Sequence, residues 1–180
     1  MLSFVKRFTL SRTCWFLLFL FALVIEGCAG YFQYGLNLKP CVECVYERAA
    51  VAAFLLCGLV GFISPEFLLT RLCAILGFLA SSAWGLSVSI NHYESTLSQG
   101  FGATCRLRAD FPEYIKLDEW LPWFFKPLDT CGPLDWSLLS LSMPQWLVII
   151  FGCGVAVGFV FFIAQFARLK RRNRYDSYYS

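Results

Sequence analysis

At 180 residues, with 58% hydrophobic and only 15% charged residues and a mean hydropathy of +0.62, the chain has room for one domain and is far too apolar for a soluble globule. A net charge of +3 is too small to argue for nucleic acid, so the placement of the charges matters more than their sum. Nine cysteines point to a disulfide framework, a metal site or redox chemistry, and an odd number cannot all pair within the chain.

Residues 1–13 carry Lys6, Arg7 and Arg12 and lead into a first apolar stretch, Cys14 to Gly30. A spanning helix needs about 20 mostly apolar residues, and this stretch comes close to that length. Glu26 lies near its outer end, where an acid is either functional or snorkels to the interface. Ile25-Glu26-Gly27-Cys28 loosely resembles a lipoprotein cleavage site, but an acid beside the cysteine fits such a site poorly, which leaves a span as the reading. After a short loop, 31–40, a second span runs from Cys41 to Ile63. The turn 64–71 carries Arg71, and a third span follows from Leu72 to Ile90. The connection 91–145 is rich in Pro, aromatic and charged residues and is too polar to cross a bilayer. A fourth span, Trp146 to Ala167, is opened by Met143-Pro144-Gln145-Trp146, with Pro tolerated in a first helical turn. The tail 168–180 holds Arg168, Lys170, Arg171, Arg172 and Arg174.

Lys and Arg gather on the cytoplasmic side of short loops. The basic ends and Arg71 therefore place both termini in the cytoplasm, and the loops 31–40 and 91–145, which hold most of the acids, on the opposite face. The expected fold is an all-α integral membrane four-helix bundle, up-down-up-down. Its long loop is expected to carry a short interfacial helix, because Phe111 to Ile115 and Trp120 to Phe125 mix aromatic with charged or polar residues.

This topology sorts the cysteines. Cys14, Cys28, Cys57, Cys73 and Cys153 fall in or at the ends of apolar stretches, where cysteine packs as a small hydrophobe. Cys41, Cys44, Cys105 and Cys131 all fall on the outer face, an even set in a location that permits disulfides. Cys41-Val42-Glu43-Cys44 is a Cys-X-X-Cys pair at the amino end of a helix, where free N–H groups and the macrodipole favour a negative sulfur. Glu47 and Arg48, three and four residues beyond Cys44, can share its helical face. Arg48 is then a candidate to stabilise a thiolate and donate to a quinone carbonyl, and the competing reading is an ion pair of Arg48 with Glu43 or Glu47. For Cys105 and Cys131, the competing reading is a structural disulfide closing a loop of about 25 residues, worth on the order of 3 kcal/mol. His92, the only histidine, follows the third span and is a candidate proton acceptor, or simply a polar residue at a helix end.

The pattern as a whole resembles the DsbB family of bacterial inner-membrane disulfide bond formation proteins. The resemblance rests on Leu38-Lys39-Pro40-Cys41-Val42-Glu43-Cys44-Val45-Tyr46-Glu47-Arg48, on Phe111-Pro112-Glu113, on Leu117 to Pro122 and on Met143-Pro144-Gln145-Trp146, and it covers nearly the whole chain. It implies that the Cys105 and Cys131 couple oxidises a periplasmic DsbA-like protein, with Cys105 forming the mixed disulfide. It also implies that Cys41 and Cys44 reoxidise that couple, and that Cys44 meets a membrane quinone, ubiquinone or menaquinone. Arg48 matches the arginine that supports quinone binding, His92 falls where the family has a quinone-proximal histidine, and Glu47 is a further candidate for the quinone site. Glu43 departs from the family, in which an apolar residue usually stands between the paired cysteines, and Gly132-Pro133-Leu134 is less polar than expected.

DsbA is a strong oxidant, so its reoxidation needs a strong final acceptor. No nucleotide-binding glycine motif is present, which favours a lipid-soluble acceptor between helices over flavin or nicotinamide. Three rivals predict different outcomes. A scaffold stapled by inert disulfides would resist a soluble dithiol. A four-thiolate zinc site would hold stoichiometric metal. An enzyme like vitamin K epoxide reductase would carry its active pair late in the chain rather than at the second span.

Overall fold

A computed structural model describes residues 2–97, 111, 116–129 and 137–167. The chain forms helices α1 (Leu2–Thr9), α2 (Arg12–Tyr34), α3 (Val42–Ile63) and α4 (Leu68–Leu97), then the one-turn helices α5 (Leu117–Trp120) and α6 (Pro122–Phe125). A hairpin of β1 (Ser137–Leu138) and β2 (Leu141–Ser142) leads into α7 (Met143–Gln165). Helices α2, α3, α4 and α7 are each long and apolar enough to cross a bilayer, so the protein is a multi-pass, all-α membrane bundle. Lipid forces this choice, since a helix satisfies its own N–H and C=O groups where no water is available.

The major interfaces join α2 to α3, α3 to α4 and α4 to α7, and none of comparable size joins α7 back to α2. The four spans thus form an open ring. At its centre Phe54 packs on Phe78 and Phe151, with ring centroids 4.8 and 5.8 Å apart. Ala22, Ala50 and Val51 complete this core. Outward side chains such as Phe16, Leu20, Leu56, Leu76 and Phe159 are exposed to the lipid. Small residues bring the backbones together where association has no hydrophobic drive. A Cβ at Gly58 would stand 2.9 Å from the backbone nitrogen of Phe19. At Gly85 a Cβ would collide with the Phe151 ring.

Three of the four long helices begin before the spans expected from hydropathy. α2 covers Arg12–Tyr34 rather than 14–30, and α7 covers Met143–Gln165 rather than 146–167. α4 begins at Leu68 and ends at Leu97 rather than running 72–90, a length of about 45 Å against a hydrocarbon layer of about 30 Å. Hydropathy stops at the first polar residue, whereas a helix continues while its backbone bonds are made. His92 therefore stands inside α4 and not beyond it. Cys41 is the N-cap of α3 rather than its first residue.

The five cysteines assigned to packing divide. Cys14 is buried and Cys57 partly so, but Cys28, Cys73 and Cys153 are exposed rather than packed into the bundle. Arg71, read from sequence only as a cytoplasmic charge, is 4% exposed. It donates to Gln165 Oε1 at 2.7 Å and to the Pro65 carbonyl at 2.9 Å. Gln165 in turn donates to Thr9, whose carbonyl accepts from the Trp15 indole at 2.9 Å. This polar knot ties α1, α2, α4 and α7 together at the end away from Cys41.

Filling the close approach at Gly58 tests the packing. Gly58→Leu is expected to lower the thermal midpoint in detergent, at a cost of about 1–3 kcal/mol from overpacking. Gly27→Ala, where a Cβ meets nothing within 4 Å, does not lower it. Circular dichroism melts of the two variants check both.

Candidate active site

The expected site residues of α3 and α4 converge at the end of the bundle where α3 begins. Pro40 precedes Cys41, whose extended backbone (φ −81°, ψ 175°) makes it the N-cap of α3. The Cys44 backbone N–H donates to Cys41 Sγ at 3.3 Å, so a sulfur occupies the place that a serine or aspartate oxygen usually takes. One turn of helix then brings Cys44 Sγ to 2.7 Å from Cys41 Sγ, and neither cysteine is in a disulfide. Cys41 is 4% exposed, whereas Cys44 is partly open.

On the neighbouring α4, His92 is 1% exposed and reaches the same sulfurs. Its Nε2 lies 3.7 Å from Cys41 Sγ and its Nδ1 lies 3.0 Å from Glu47 Oε1. A proton on Nδ1, donated to the Glu47 carboxylate, leaves Nε2 as the acceptor facing the thiol. The order sulfur, imidazole, carboxylate is the arrangement by which a base is oriented to take a proton from a nucleophile. Glu47 is thus engaged by His92, which sets aside the Arg48–Glu47 form of the ion pair weighed from sequence. Hydropathy had also placed His92 in the interface, whereas α4 carries it into the protein.

Arg48, 8% exposed, turns the other way, toward α2. It donates to the Ala29 carbonyl at 3.1 Å, to the Phe124 carbonyl at 3.0 Å and to Gln33 Oε1. Its guanidinium also lies 4.8 Å from the centre of the Phe124 ring. The two one-turn helices of the long connection are held by the same region. The Trp123 carbonyl accepts from Gln33 and Tyr34, and the Leu128 and Asp129 amides donate to the Pro40 carbonyl at 2.9 and 3.3 Å. The short interfacial helix expected from the aromatic pattern is therefore two single turns broken by Pro122. Trp120 and Trp123 remain largely exposed on them. Phe111 stacks edge-on against Tyr46 with centroids 5.3 Å apart. Gln33 and Tyr34 carried no signal in the sequence, since a polar or aromatic residue at a helix end is ordinary there, and Phe124 was legible only as part of the aromatic run from Trp120 to Phe125.

Between α2, α3 and α7 lies a cavity of about 250 Å³. Its wall is mostly apolar, with Val24, Phe32, Val51, Leu147 and Ile150 among its lining, and it includes Cys44, Glu47 and Arg48. It sits where α7 and α2 lack a close interface. Both carboxyl oxygens of Glu26, also in the wall, are buried without a hydrogen-bond partner among the described residues. One further arrangement is chemically possible, because donor atoms of Cys41, Cys44 and His92 all lie within 4.8 Å of one another and could hold a metal ion. Cys105 and Cys131 lie outside the described residues.

With this geometry in view, comparison with known proteins is informative. The family model described as disulfide bond formation protein DsbB matches residues 11–161. The chain is 40% identical over 174 residues to disulfide bond formation protein B of Histophilus somni, covering 97% of this chain and 98% of that one. It is 42% identical to the protein of the same description from Pasteurella multocida, again over 97% and 98% of the two chains. A Haemophilus influenzae relative of the same description is 37% identical over equal shares.

Removing the guanidinium should loosen the lid formed by residues 116–129. In Arg48→Met two carbonyls and an amide oxygen lose a charged donor, each worth about 1.5–3 kcal/mol. The Leu128 and Asp129 amides are expected to exchange hydrogen faster than in the wild type, with Arg48→Lys in between. Hydrogen-exchange mass spectrometry reads this directly, and unchanged exchange would show that the clamp does not hold the lid.

Proposed function

Because the chain belongs to the DsbB family and has a role in disulfide bond formation, we propose that it is a thiol:quinone oxidoreductase of the bacterial inner membrane that reoxidises a periplasmic DsbA-like thiol oxidase. The observation that carries this reading is Cys44, whose sulfur lies beside that of Cys41, in the wall of a mostly apolar cavity between spanning helices, on the side that α2 and α7 leave open. A soluble acceptor has no reason to use such an opening. A prenylated ring partitions into the bilayer and meets the cavity from the side.

Orientation follows from charge. Lys6, Arg7, Arg12 and Arg71 gather at the end opposite the cysteine pair, which supports a cytoplasmic position for that end and a periplasmic one for the pair. In the proposed sequence the reduced partner's thiolate attacks the Cys105–Cys131 disulfide at Cys105, forms a mixed disulfide with it and releases Cys131 as a thiolate. The partner's second thiol resolves this bond and leaves oxidised. The loop couple, now reduced, passes two electrons to the Cys41–Cys44 disulfide by the same exchange, with Cys41 as the sulfur that bonds to the loop.

A membrane quinone, ubiquinone or menaquinone, supplies a two-electron, two-proton acceptor when bound. Its fit rests on the lining, with apolar walls for a ring, the Arg48 guanidinium for an oxygen, and Cys44 as the sulfur of the pair that lines the cavity. His92 takes the Cys41 proton at Nε2, and Glu47 holds the ring in the orientation that makes this possible. Arg48 keeps α2, α3 and the lid in register around the cavity and keeps a positive group in its wall. Loss of two S–H bonds and formation of one S–S bond release two electrons and two protons, the number that a quinone consumes.

Quinone reduction by the purified chain with reduced DsbA tests the scheme. Cys44→Ser and Cys105→Ser are each expected to abolish turnover, and normal turnover in both would reject it. In intact spheroplasts after reduction, an impermeant maleimide is expected to label Cys105 and Cys131, and labelling only after lysis would place the couple on the wrong face. The donor cluster of Cys41, Cys44 and His92 supports a second reading as a zinc site. Stoichiometric zinc in protein that lacks quinone turnover would favour it.

A further inference from the structure

Glu26 is an acid that the protein buries and leaves without a bond. It lies on α2 three residues before Ala29 and seven before Gln33, on the helix stripe that faces Arg48. Both of its carboxyl oxygens are inaccessible, and neither has a hydrogen-bond partner among the described residues. A buried carboxyl left so costs several kilocalories per mole unless something completes it, and in a membrane span such a group marks a functional site. Arg48 is the obvious partner, yet its guanidinium is spent on Ala29, Gln33 and Phe124. The carboxyl group is thus reserved for whatever fills the cavity that it lines.

Its depth is the second observation. Arg48 meets α2 at Ala29, which sets the level of the two antiparallel helices. Cys44 lies one turn above that level, toward the mouth, and Glu26 about one turn below it, so the backbone positions of Cys44 and Glu26 are separated by about 10 Å along the bundle. A para-quinone ring with a polar contact at each end bridges such a distance, with one oxygen at the Cys44 and Arg48 side and the other at Glu26.

We propose that Glu26 is the catalytic acid at the inner end of the cavity, hydrogen-bonded to the quinone oxygen remote from Cys44 and giving that oxygen its proton. This rests on the quinone reading above and extends it. Oxidation of the Cys41 and Cys44 thiols breaks two S–H bonds, forms one S–S bond and sends two electrons to the quinone, whose two oxygens each take a proton. One of these passes from the thiols by way of His92. The other comes from Glu26, which becomes a carboxylate and is reprotonated from the aqueous pool that received the second thiol proton. Glu26 is a carrier, so the overall balance is unchanged.

The test uses the full chain in lipid nanodiscs with ubiquinone-1 as probe and reduced DsbA as donor. Glu26→Gln keeps the shape and a hydrogen-bond donor but cannot release a proton. Its kcat is expected to fall by about a hundredfold, the scale of a lost general acid, with partial recovery in Glu26→Asp. The Kd for ubiquinone-1, read by tryptophan quenching, is expected to change by less than about fivefold, a lost or altered single hydrogen bond. Independently of turnover, the infrared carboxyl band of the wild type is expected to shift when ubiquinone-1 binds, and that band to be missing in Glu26→Gln. Wild-type kcat in Glu26→Gln, or a wild-type carboxyl band indifferent to ubiquinone-1, would overturn the proposal while leaving the quinone reading intact. Failure of the wild type to bind ubiquinone-1 at all would overturn both.

Discussion

The guanidinium of Arg48 stands where three parts of the chain meet, and the site is arranged around the need to satisfy it. A cation placed this deep in an apolar bundle has to find acceptors in the protein. It finds them on α2 through Ala29 and Gln33, and on α6 through Phe124. These bonds fix the spacing of α2 and α3 at the level of the cavity and hold a piece of the long connection over the cysteine end. They also leave the Arg48 positive charge in the cavity wall, because neutral carbonyl and amide oxygens partner it without neutralising it. Glu47, next in the chain, is turned by the helix toward α4 and the imidazole of His92. Adjacent residues of one helix thus serve two neighbours, one gripping the lid and the other orienting the base beside the sulfurs.

The open side of the ring has a matching physical origin. Close contact between α3 and its neighbours uses small residues and aromatic stacking, and α4 and α7 meet at Gly85, Gly154 and Phe151. No equivalent set joins α2 to α7. At the far end, the knot of Arg71, Gln165, Thr9 and Lys6 holds these helices in place by polar bonds. At the cysteine end nothing comparable does so, and the gap becomes a cavity. A bundle tied at one end and parted at the other leaves Cys44 partly open in the cavity wall while keeping Cys41 and His92 buried.

Much of the architecture was legible in the residues, and the reason is that lipid is a severe solvent. Runs such as Trp146 to Ala167 have no other stable state than a helix, and the short turn between Ile63 and Leu68 forces antiparallel neighbours. The clustering of Cys41, Cys44, Glu47 and Arg48 was legible for a similar reason, because four residues within eight positions on one helix cannot be far apart. What was not legible was direction. Spacing alone allowed Glu47 and Arg48 to pair, and only the positions of α2 and α4 on opposite sides of α3 separate them. His92 was read as a residue beyond a span because hydropathy falls there, whereas α4 continues for two further turns with its bonds intact.

The amino-acid sequence by itself determined four membrane helices, their antiparallel order and a cysteine pair capping the second of them. Each of these follows from local chemistry: apolar length, loop length, and the need of a helix amino end for an acceptor. The tertiary structure alone decided that His92 and Glu47 form one hydrogen-bonded unit beside Cys41, that Arg48 clamps the lid, and that the carboxyl oxygens of Glu26 are buried, without a hydrogen-bond partner among the described residues, in a wall shared with Cys44. Those depend on how helices rotate about their axes when packed, and rotation is set by the sum of many weak contacts between residues far apart in the chain, which no local pattern records.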